Sequence, residues 1–577
     1  MSSSVSHSTD PIAITVPKGF KLHTENSAHI LLPDTNDAFL NPIQEFNRDL
    51  SVACIRVWAE EKEEQRRQKR LLRKQKEEAK GNTSKRQKCV CEMSKITENR
   101  LKVPIVNEDG EDAGKDPTAT EDKYTGIVIL EALSATGLRS IRYAKEIPQV
   151  NYVLANDLSE AACEAMRRNV DINGLGSSDA ASTTSPKVRV NEGDACTLMY
   201  AHRPAKDRVD VVDLDPYGTA APFLDAAVQC VRDDGLLCVT CTDLSVLASG
   251  NYPEKCFANY GGVPVRGEYC HESSMKALRL VLSSIATAAS RYGRSITPLL
   301  SLSIDFYVRL FVRVKTSPIE VKKLLSQLAT YYICTTCQSY YEQPLGRAVE
   351  QPSKKGEPNI NYKTHAGPPV SQRCPECDGT LHLAGPMWKG AIHDPVFAKQ
   401  VATHVEADPS KYGTSARMKG MLTVASEELP VPFYFTPSKI AGYFRCEVPP
   451  LMETTRVAVQ SSLSALLNSG YSVSRSHAVS GSIKTTAPRS FINDVMREWI
   501  KEHPVKMENI SEGHVARRLL LKPQRAEISF EKHAKAITRE DVKLVRYQVN
   551  PTPNWGPKPR AKRKRDTPED DANMGES

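Results

Sequence analysis

The amino-acid sequence predicts a doubly wound α/β domain over residues 124–330, followed by a second α/β region. Two observations support this fold class. Short runs rich in β-branched residues alternate with helical stretches, which is typical of a parallel sheet with right-handed crossovers. Polar or acidic residues follow several of these runs directly, at the strand ends where such sheets bind their ligands.

Length and composition indicate a globular protein of several domains. The chain has 577 residues, of which 40% are hydrophobic and 25% charged. No apolar stretch approaches the ~20 residues that span a bilayer, and the Ser-rich start lacks the features of a secretory signal. Fifteen cysteines without such a signal indicate reduced thiols in the cytosol or nucleus, which are available to bind a metal.

Residues 1–58 predict a small β-hairpin and a helix that pack on the α/β domain. Asn47, Arg48 and Asp49 form a polar triplet near the start of this helix. From the residues alone, a capping Asn or Asp is the favoured interpretation. The alternative is that Arg48 clamps a carboxylate with its paired donors. Residues 59–123 are mostly charged and polar, and predict a mobile insertion that is either a solvated helix or a disordered arm.

The elements of the α/β domain follow from its apolar runs and turn signals. Strands are predicted at 127–130, 150–155, 188–190, 209–212 and 236–241, with helices between them, including one at 220–231. A long helix at 272–292 and one or two strands within 301–314 complete the domain. The strand at 209–212 ends abruptly in the turn 213–218, D-L-D-P-Y-G, because proline cannot continue a strand ladder.

Three acids at successive strand ends, Asp157, Asp194 and Asp215, indicate a nucleotide-like cofactor. Asp157 lies twenty residues after Gly137, the spacing at which an acid bonds ribose hydroxyls, and Asp194 suits an exocyclic amine such as that of adenine. The first turn has a single glycine, which argues against a dinucleotide. Arg139, together with Arg48, is then free to hold a small carboxylate. Adenine, ribose and an amino-acid carboxylate together describe S-adenosylmethionine.

The turn 213–218 predicts a methyl transfer to an aromatic amine. Asp215 and the backbone carbonyl of Pro216 would accept the amine protons and aim its lone pair at the methyl group. Tyr217 would stack on the base, which must leave its helix to reach the pocket. A packing role for the Tyr217 ring between domains is an equally supported alternative. Asp213 is expected to be structural support.

Two cysteine pairs predict a structural zinc site. Cys334, Cys337, Cys374 and Cys377 form two C-x-x-C knuckles within residues 331–388, with a long connecting loop that implies an insertion into a zinc-ribbon-like element. Residues 389–545 predict a second α/β region.

Basic residues near the end of the chain suggest contact with nucleic acid. His477 and Lys484, near Arg475, suit phosphate contact, although a solvated surface is the simpler alternative. The tail 546–577 holds a basic run, K-P-R-A-K-R-K-R, that suits nuclear import or nucleic-acid contact.

With these motifs in view, the chain resembles the tRNA (guanine(26)-N(2))-dimethyltransferases. The matching stretches are N-P-I-Q-E-F-N-R-D-L-S at 41–51, E-A-L-S-A-T-G-L-R-S-I-R at 131–142, A-N-D-L-S at 155–159, D-L-D-P-Y-G at 213–218, C-H-E at 270–272, P-L-L-S-L-S at 298–303 and S-R-S-H at 474–477. The resemblance implies a class I (Rossmann-like) S-adenosylmethionine-dependent methyltransferase domain and transfer of two methyl groups to one guanine amine. It also implies a set of cofactor contacts: Arg48, Arg139, Asp157, Asp194 and Ala195.

The same resemblance makes the four knuckle cysteines zinc ligands and residues 389–545 a tRNA-binding domain. Two alternatives stay open at this point: an N-methyltransferase acting on another base, and a noncatalytic zinc-bearing RNA-binding protein of the same fold. A monomer is expected. The basic tail favours the nucleus, with the mitochondrion as the other option.

Overall fold

The computed structural model describes residues 14–34, 40–90, 126–176, 185–265, 273–352, 359–449 and 462–536. Several sequence-based predictions lie outside these residues. They are the part of the insertion at 91–123, the C-H-E stretch at 270–272 and the basic tail.

The N-terminal segment is a hairpin followed by one long helix. Strands β1 (Phe20–Glu25) and β2 (Ala28–Pro33) pair antiparallel, which confirms the predicted hairpin. Helix α1 (Glu45–Val90) runs for 46 residues, so the boundary predicted between residues 58 and 59 falls inside it. The first turns of its charged part are fixed to the α/β domain, because Lys62 Nζ lies 2.7 Å from Asp234 Oδ2 and Arg313 Nη2 lies 2.9 Å from Glu61 Oε2.

The elements of the α/β domain include the strands and helices that the apolar runs predict, together with two short helices at 244–247 and 253–260 that were not predicted. They are β3 (Ile127–Glu131), α2 (Leu138–Glu146), β4 (Val150–Asp157), α3 (Glu160–Ile172), β5 (Val188–Glu192), α4 (Ala195–Ala201), β6 (Val209–Leu214), α5 (Ala221–Cys230), β7 (Val231–Cys241), α6 (Leu244–Leu247), α7 (Pro253–Tyr260), α8 (Ser273–Ser290), β8 (Arg294–Ile304) and β9 (Tyr307–Thr316).

Seven strands form one sheet in the order β5-β4-β3-β6-β7-β9-β8. The strands from β5 to β7 are mutually parallel, whereas β9 runs antiparallel to both β7 and β8. The chain moves outward from β3 through β4 to β5 and then returns to β6 on the other side of β3. This reversal creates a switch point between β3 and β6, where open α/β sheets bind ligands beyond the carboxyl ends of their strands. The topology confirms the predicted class I methyltransferase fold.

Alternate residues of the sheet pack into two separate hydrophobic cores, one on each face. Val128, Leu130 and Val212 face a cluster that includes residues of α5 and α8. Ile127 and Ile129 face the opposite cluster, which includes the buried start of α1. Because both faces are covered, the central strands are apolar almost throughout, as expected for a parallel sheet.

The C-terminal half combines small antiparallel sheets with helices. Its elements are α9 (Pro318–Gln327), β10 (Leu328–Cys334), β11 (Tyr340–Pro344), β12 (Gly346–Gln351), β13 (Asn359–Thr364), β14 (Leu381–Trp388), α10 (Pro395–Ala407), α11 (Ser415–Glu427), α12 (Pro437–Phe444), α13 (Ser462–Asn468), β15 (Val473–Arg475), β16 (Ile483–Thr485), α14 (Arg489–Glu502) and α15 (Val515–Leu520), with short 3₁₀ helices between some of them. Strands β11, β10 and β14 form a sheet, and the β12–β13 hairpin is the insertion between the two cysteine pairs. In the described part of the chain, no helix is long and apolar enough to cross a membrane.

Candidate active site

The turn at 213–218 follows β6 at the switch point, and its first acid is structural. Asp213 is fully buried and accepts hydrogen bonds from Arg309 Nη1 at 2.7 Å and from the Tyr143 hydroxyl at 2.5 Å. Burial acts to raise the pKa of Asp213, but the charges of Arg309 and Arg139 outweigh it and hold that pKa below its ordinary value. The expectation that Asp213 supports the turn is confirmed.

One carboxylate oxygen of Asp215 accepts a hydrogen bond within the protein, and the other is unpaired among the described residues. Its Oδ2 accepts a hydrogen bond from Arg139 Nη2, and its side chain is 10% exposed. Its Oδ1 is inaccessible to solvent and has no hydrogen-bond partner among the described residues. An unpaired buried acceptor costs about 1–3 kcal/mol, so a donor from a ligand at this position would be favoured.

Arg139 is held by protein groups on several sides. Its Nη1 donates to Ser51 Oγ at 3.1 Å, and its Nε lies 3.4 Å from Glu131 Oε1. Burial raises the pKa of Glu131 to about 8, against the charge of Arg139, so this carboxyl group is largely protonated at neutral pH. Arg139 therefore presents its charge mainly to Asp215 and Asp213. That it also holds the carboxylate of a cofactor stays a prediction.

Arg48 is likewise paired within the protein. Its Nε donates to Glu25 Oε1 at 2.7 Å, and its guanidinium group is 7% exposed. The capping interpretation of this segment is wrong, because Asn47 and Asp49 lie inside α1 and are buried. Asp49 instead accepts a bond from the backbone N–H of Thr414 at 2.9 Å. A contact between Arg48 and the cofactor stays a prediction.

The loop after β3 is shaped by Asp157. Oδ2 of Asp157 accepts from the backbone N–H of Ala135 at 2.9 Å, and Oδ1 accepts from that of Ser159 at 3.0 Å. Gly137 has a φ of +76°, and a Cβ at this position would lie 2.6 Å from Met166 Cγ. Glycine is thus required both by its backbone conformation and by the close approach of α3.

The next acid along the sheet edge follows β5. Asp194 caps α4 by accepting from the N–H of Thr197 at 2.7 Å, and Ala195 begins that helix in a buried position. Between these acids in the chain, Leu158 directly follows Asp157 and is 73% exposed. Carboxylates near an exposed apolar side chain fit a ribose and an adenine ring, so the residues present fit S-adenosylmethionine. The sequence analysis missed Leu158.

Asn156 is a second residue that the sequence analysis missed. Its fully buried side chain donates from Nδ2 to the carbonyl oxygens of Ala132 at 2.9 Å and Gly193 at 3.1 Å, and its Oδ1 accepts from Asn191 at 2.7 Å. These bonds join the ends of three neighbouring strands. The only sequence signal was its place beside Asp157 in the A-N-D-L-S stretch.

The far side of the turn is anchored to the segment after β7. The backbone N–H of Gly218 donates to Thr242 Oγ1 at 2.8 Å, and the N–H of Thr242 donates to the Gly218 carbonyl at 2.9 Å. Tyr217 is 65% exposed, so its ring does not fill a gap between packed domains. That the exposed Tyr217 ring stacks on a base stays a prediction.

The four predicted knuckle cysteines come together in one buried group. All four sulfur atoms lie within 4.8 Å of one another, with 3.5 Å between Cys334 and Cys377 and 3.6 Å between Cys337 and Cys374. A tetrahedron with zinc–sulfur bonds of about 2.3 Å has sulfur–sulfur edges of about 3.8 Å. The group therefore has the dimensions of a four-thiolate metal site.

His477 and Lys484 do not lie on a surface that phosphate can reach, which corrects the expectation of phosphate contact. Both side chains are fully buried against Glu428. Lys484 Nζ lies 2.8 Å from Glu428 Oε1, and His477 Nδ1 lies 2.6 Å from Oε2. Burial acts to raise the pKa of Glu428, but its interactions with His477, Lys484 and His393 outweigh burial and hold that pKa well below its ordinary value. The polar pattern that indicated a surface reflects a buried ion pair.

Two histidines of this cluster bond the outer edge of the seven-stranded sheet. The N–H of Ser303 donates to His477 Nε2 at 3.0 Å, and the N–H of Ser301 donates to His393 Nδ1 at 3.3 Å. Both serines lie on β8, the last strand of the sheet. Each of these ring nitrogens must be unprotonated to accept its bond.

Acidification is expected to open the β8 edge at Ser301. Burial lowers the pKa of His393 from 6.5 to about 4, with Glu428 opposing the shift and His477 and Lys484 adding to it. Because this pKa is depressed in the folded state, its stabilising contribution is complete above pH 6.5 and is lost as pH falls toward 4. Protection of the Ser301 amide in hydrogen–deuterium exchange, corrected for the intrinsic rate, should fall by up to about tenfold per pH unit in that window.

His393→Asn is the matched control for this prediction. Its side-chain amide oxygen can accept the Ser301 bond but does not titrate. Amide protection at Ser301 in this variant should not change between pH 6.5 and 4. An equal pH dependence in the variant and the wild type would show that another group opens this edge.

Comparisons with known proteins agree with this geometry. The family of N2,N2-dimethylguanosine tRNA methyltransferases matches residues 19–497. The tRNA (guanine(26)-N(2))-dimethyltransferase of Schizosaccharomyces pombe is 45% identical over 538 residues, covering 93% of this chain and 91% of that protein. The mitochondrial enzyme of the same name from Saccharomyces cerevisiae is 41% identical, covering 94% of this chain and 92% of that protein.

A solved structure shares the fold. It is that of Trm1 from Pyrococcus horikoshii with S-adenosyl-L-methionine, which superposes with a TM-score of 0.56 and 24% identity over 82% of this chain and 98% of that one. The sheet topology agrees with this likeness, and the sequence match spans most of the chain. The chain belongs to the N2,N2-dimethylguanosine tRNA methyltransferase family.

Proposed function

We propose that this protein transfers two methyl groups from S-adenosylmethionine to the exocyclic N2 of guanine 26 in tRNA, giving N2,N2-dimethylguanosine. Relatives at 45% and 41% identity carry this activity in their names. The observation that carries the proposal is the unpaired, inaccessible Oδ1 of Asp215 at the switch point of the sheet. The amine of the target base would donate the hydrogen bond that this oxygen lacks.

Asp215, Pro216 and Tyr217 prepare the amine for attack. The lone pair of guanine N2 is delocalised into the ring, so it is a weak nucleophile. Asp215 Oδ1 would accept a hydrogen bond from one amine hydrogen and the Pro216 carbonyl from the other, and both bonds keep electron density on nitrogen. As the methyl group transfers, the amine would release one proton to Asp215. Tyr217 stacks on the base once it has left its helix. S-adenosylmethionine supplies an electrophilic methyl group on its sulfonium sulfur.

The surroundings of Asp215 suit two rounds of transfer. Arg139 donates to Oδ2, which restrains the carboxylate and leaves Oδ1 as its unpaired acceptor. After the first transfer the amine retains one hydrogen, and the single open oxygen can still accept it. Arg48, Arg139, Asp157, Asp194 and Ala195 hold the cofactor in this proposal, with Asp157 at the ribose and Asp194 at the adenine.

We further propose zinc in the four-cysteine group and tRNA as the partner of residues 389–545. The sulfur–sulfur distances of 3.5 and 3.6 Å support zinc. The group supplies four thiolates and no water ligand, so its role is structural. The protein acts as a monomer in the nucleus, to which the basic tail would direct it, and a mitochondrial relative supports a mitochondrial share.

A methylation assay tests the proposed function. Purified protein is incubated with S-adenosylmethionine and an unmodified tRNA transcript bearing guanine at position 26, and the nucleosides are analysed by mass spectrometry. N2,N2-dimethylguanosine should accumulate, and primer extension should stop at position 26, because dimethylation blocks the pairing edge. A transcript with adenine at position 26 is the control. Absence of methylation on the guanine transcript would overturn the proposal.

A further inference from the structure

Tyr307, at the start of β9, carries a buried hydroxyl at the ligand-binding edge of the sheet. The hydroxyl of Tyr307 has no hydrogen-bond partner among the described residues, and the side chain is 3% exposed in total. The buried hydroxyls of Tyr143 and Tyr331, by contrast, donate to carboxylates, to Asp213 at 2.5 Å and to Glu342 at 3.0 Å. A buried hydroxyl left open, like the open oxygen of Asp215, indicates a place where a ligand completes the bond.

The strand register directs Tyr307 toward Asp215. Strand β9 runs antiparallel to β7, which is parallel to β6, so Tyr307 lies closer to the ligand-binding edge than Arg309 does. Tyr307 and Arg309 are two residues apart on one strand and therefore share a face of the sheet. Arg309 reaches across β7 to bond Asp213. Asp215 is two residues beyond Asp213 toward the same edge of the sheet. Tyr307 is therefore displaced from Arg309 in the same direction as Asp215 is from Asp213, which places Tyr307 near Asp215.

The environment keeps the Tyr307 phenol protonated and fixed. Burial raises its pKa well above 10, and the nearby charges of Arg417 and Asp215 act on it in opposite directions. Arg417 Nη2 donates to Asp305 Oδ2 at 2.8 Å, which holds the turn between β8 and β9 just before Tyr307. The hydroxyl is thus a positioned hydrogen-bond donor.

We propose that Tyr307 binds the target base by donating its hydroxyl hydrogen to ring nitrogen N3 of the guanine. This inference rests on the proposed function. The carbon that carries the guanine amine lies between N1, which bears a hydrogen, and N3, which is an acceptor. Asp215 Oδ1 takes a proton of the amine, and the adjoining N3 is the acceptor that matches a donor hydroxyl. Together the two open atoms fix the in-plane rotation of the base and hence the direction of the amine lone pair.

Tyr307→Phe, assayed on two substrates, tests this bond. On tRNA with guanine 26, the variant should lose about 10- to 100-fold in kcat/KM, with its Kd for S-adenosylmethionine unchanged. A tRNA assembled with 3-deazaguanine at position 26 lacks the N3 acceptor and should cost the wild type a similar factor. The variant should lose no further activity on that substrate, because the two changes remove the same bond.

Tyr331→Phe is the matched control, since it removes a buried hydroxyl remote from the sheet edge and should leave kcat/KM on guanine 26 unchanged. The Tm of Tyr307→Phe should equal or exceed that of the wild type, because the deleted hydroxyl has no protein partner. Wild-type kcat/KM in Tyr307→Phe, additive losses with 3-deazaguanine, or a weakened Kd for the cofactor would each overturn the inference. An inactive wild type would overturn the proposed function itself.

Discussion

Asp215→Asn is expected to reduce methyl transfer by about 10²- to 10⁴-fold while leaving the affinity for S-adenosylmethionine nearly unchanged. Arg139 requires an acceptor at the position of Oδ2, so the amide oxygen of the variant will face Arg139. The amide nitrogen then takes the position of Oδ1 and presents a donor to the donor amine. The substitution thereby replaces a hydrogen-bond acceptor with a donor at the position of Oδ1, with almost no change in volume.

Single-turnover kinetics with saturating tRNA would measure this loss, and calorimetric titration would measure the cofactor affinity. Asp225→Asn is the matched control, because Asp225 is an acid on α5 that bonds Tyr200 at 2.9 Å and Tyr292 at 3.0 Å away from the turn. The control should turn over at the wild-type rate. Normal turnover by Asp215→Asn would remove Asp215 from the mechanism.

Cys374→Ser is expected to abolish zinc binding and to lower the Tm of the C-terminal half by about 10 °C or more. The four cysteines form part of the buried cluster that includes Phe435, Phe444 and Phe491, so this core is assembled around the four-cysteine group. Without zinc, the three remaining thiols of the group lose the ion expected to hold them together. Elemental analysis and differential scanning calorimetry would measure the two effects.

Cys446→Ser controls for the loss of a thiol in the same half of the chain. Cys446 is half-buried, and its sulfur lies 3.7 Å from the carbonyl oxygen of Ala441, outside the four-cysteine group. This variant should retain one zinc ion per chain and nearly the wild-type Tm. Wild-type protein that is fully folded yet contains no zinc would refute the assignment.

Local signals were sufficient to predict the α/β domain and the positions of its acids. The run at 209–212 is β-branched and ends at proline, so the strand, its end and the turn all followed from residues adjacent in sequence. The cysteine pairs were predictable for the same reason, since spacing within each knuckle is local. The long insertion between them folds as a separate hairpin and does not disturb the group.

Partners distant in sequence were not predictable. Arg48 pairs with Glu25 across a hairpin, and Arg139 reaches Asp215 76 residues away. Lys484 lies beside Glu428, 56 positions earlier, so a charged side chain that suggested a surface is buried. Tyr307 carries no motif at all. Its significance arises only from the antiparallel register that places it one step beyond Arg309.

The histidine bonds along β8 also bear on whether the edge of the sheet can pair with a strand of another molecule. An outermost strand exposes a row of unused backbone groups, which is the usual starting point for intermolecular strand addition and aggregation. At one margin, His393 and His477 occupy the amides of Ser301 and Ser303. At the other margin, β5 has only five residues. Because these two amides donate to histidines of the C-terminal half, they are not available to pair with a strand of a second molecule.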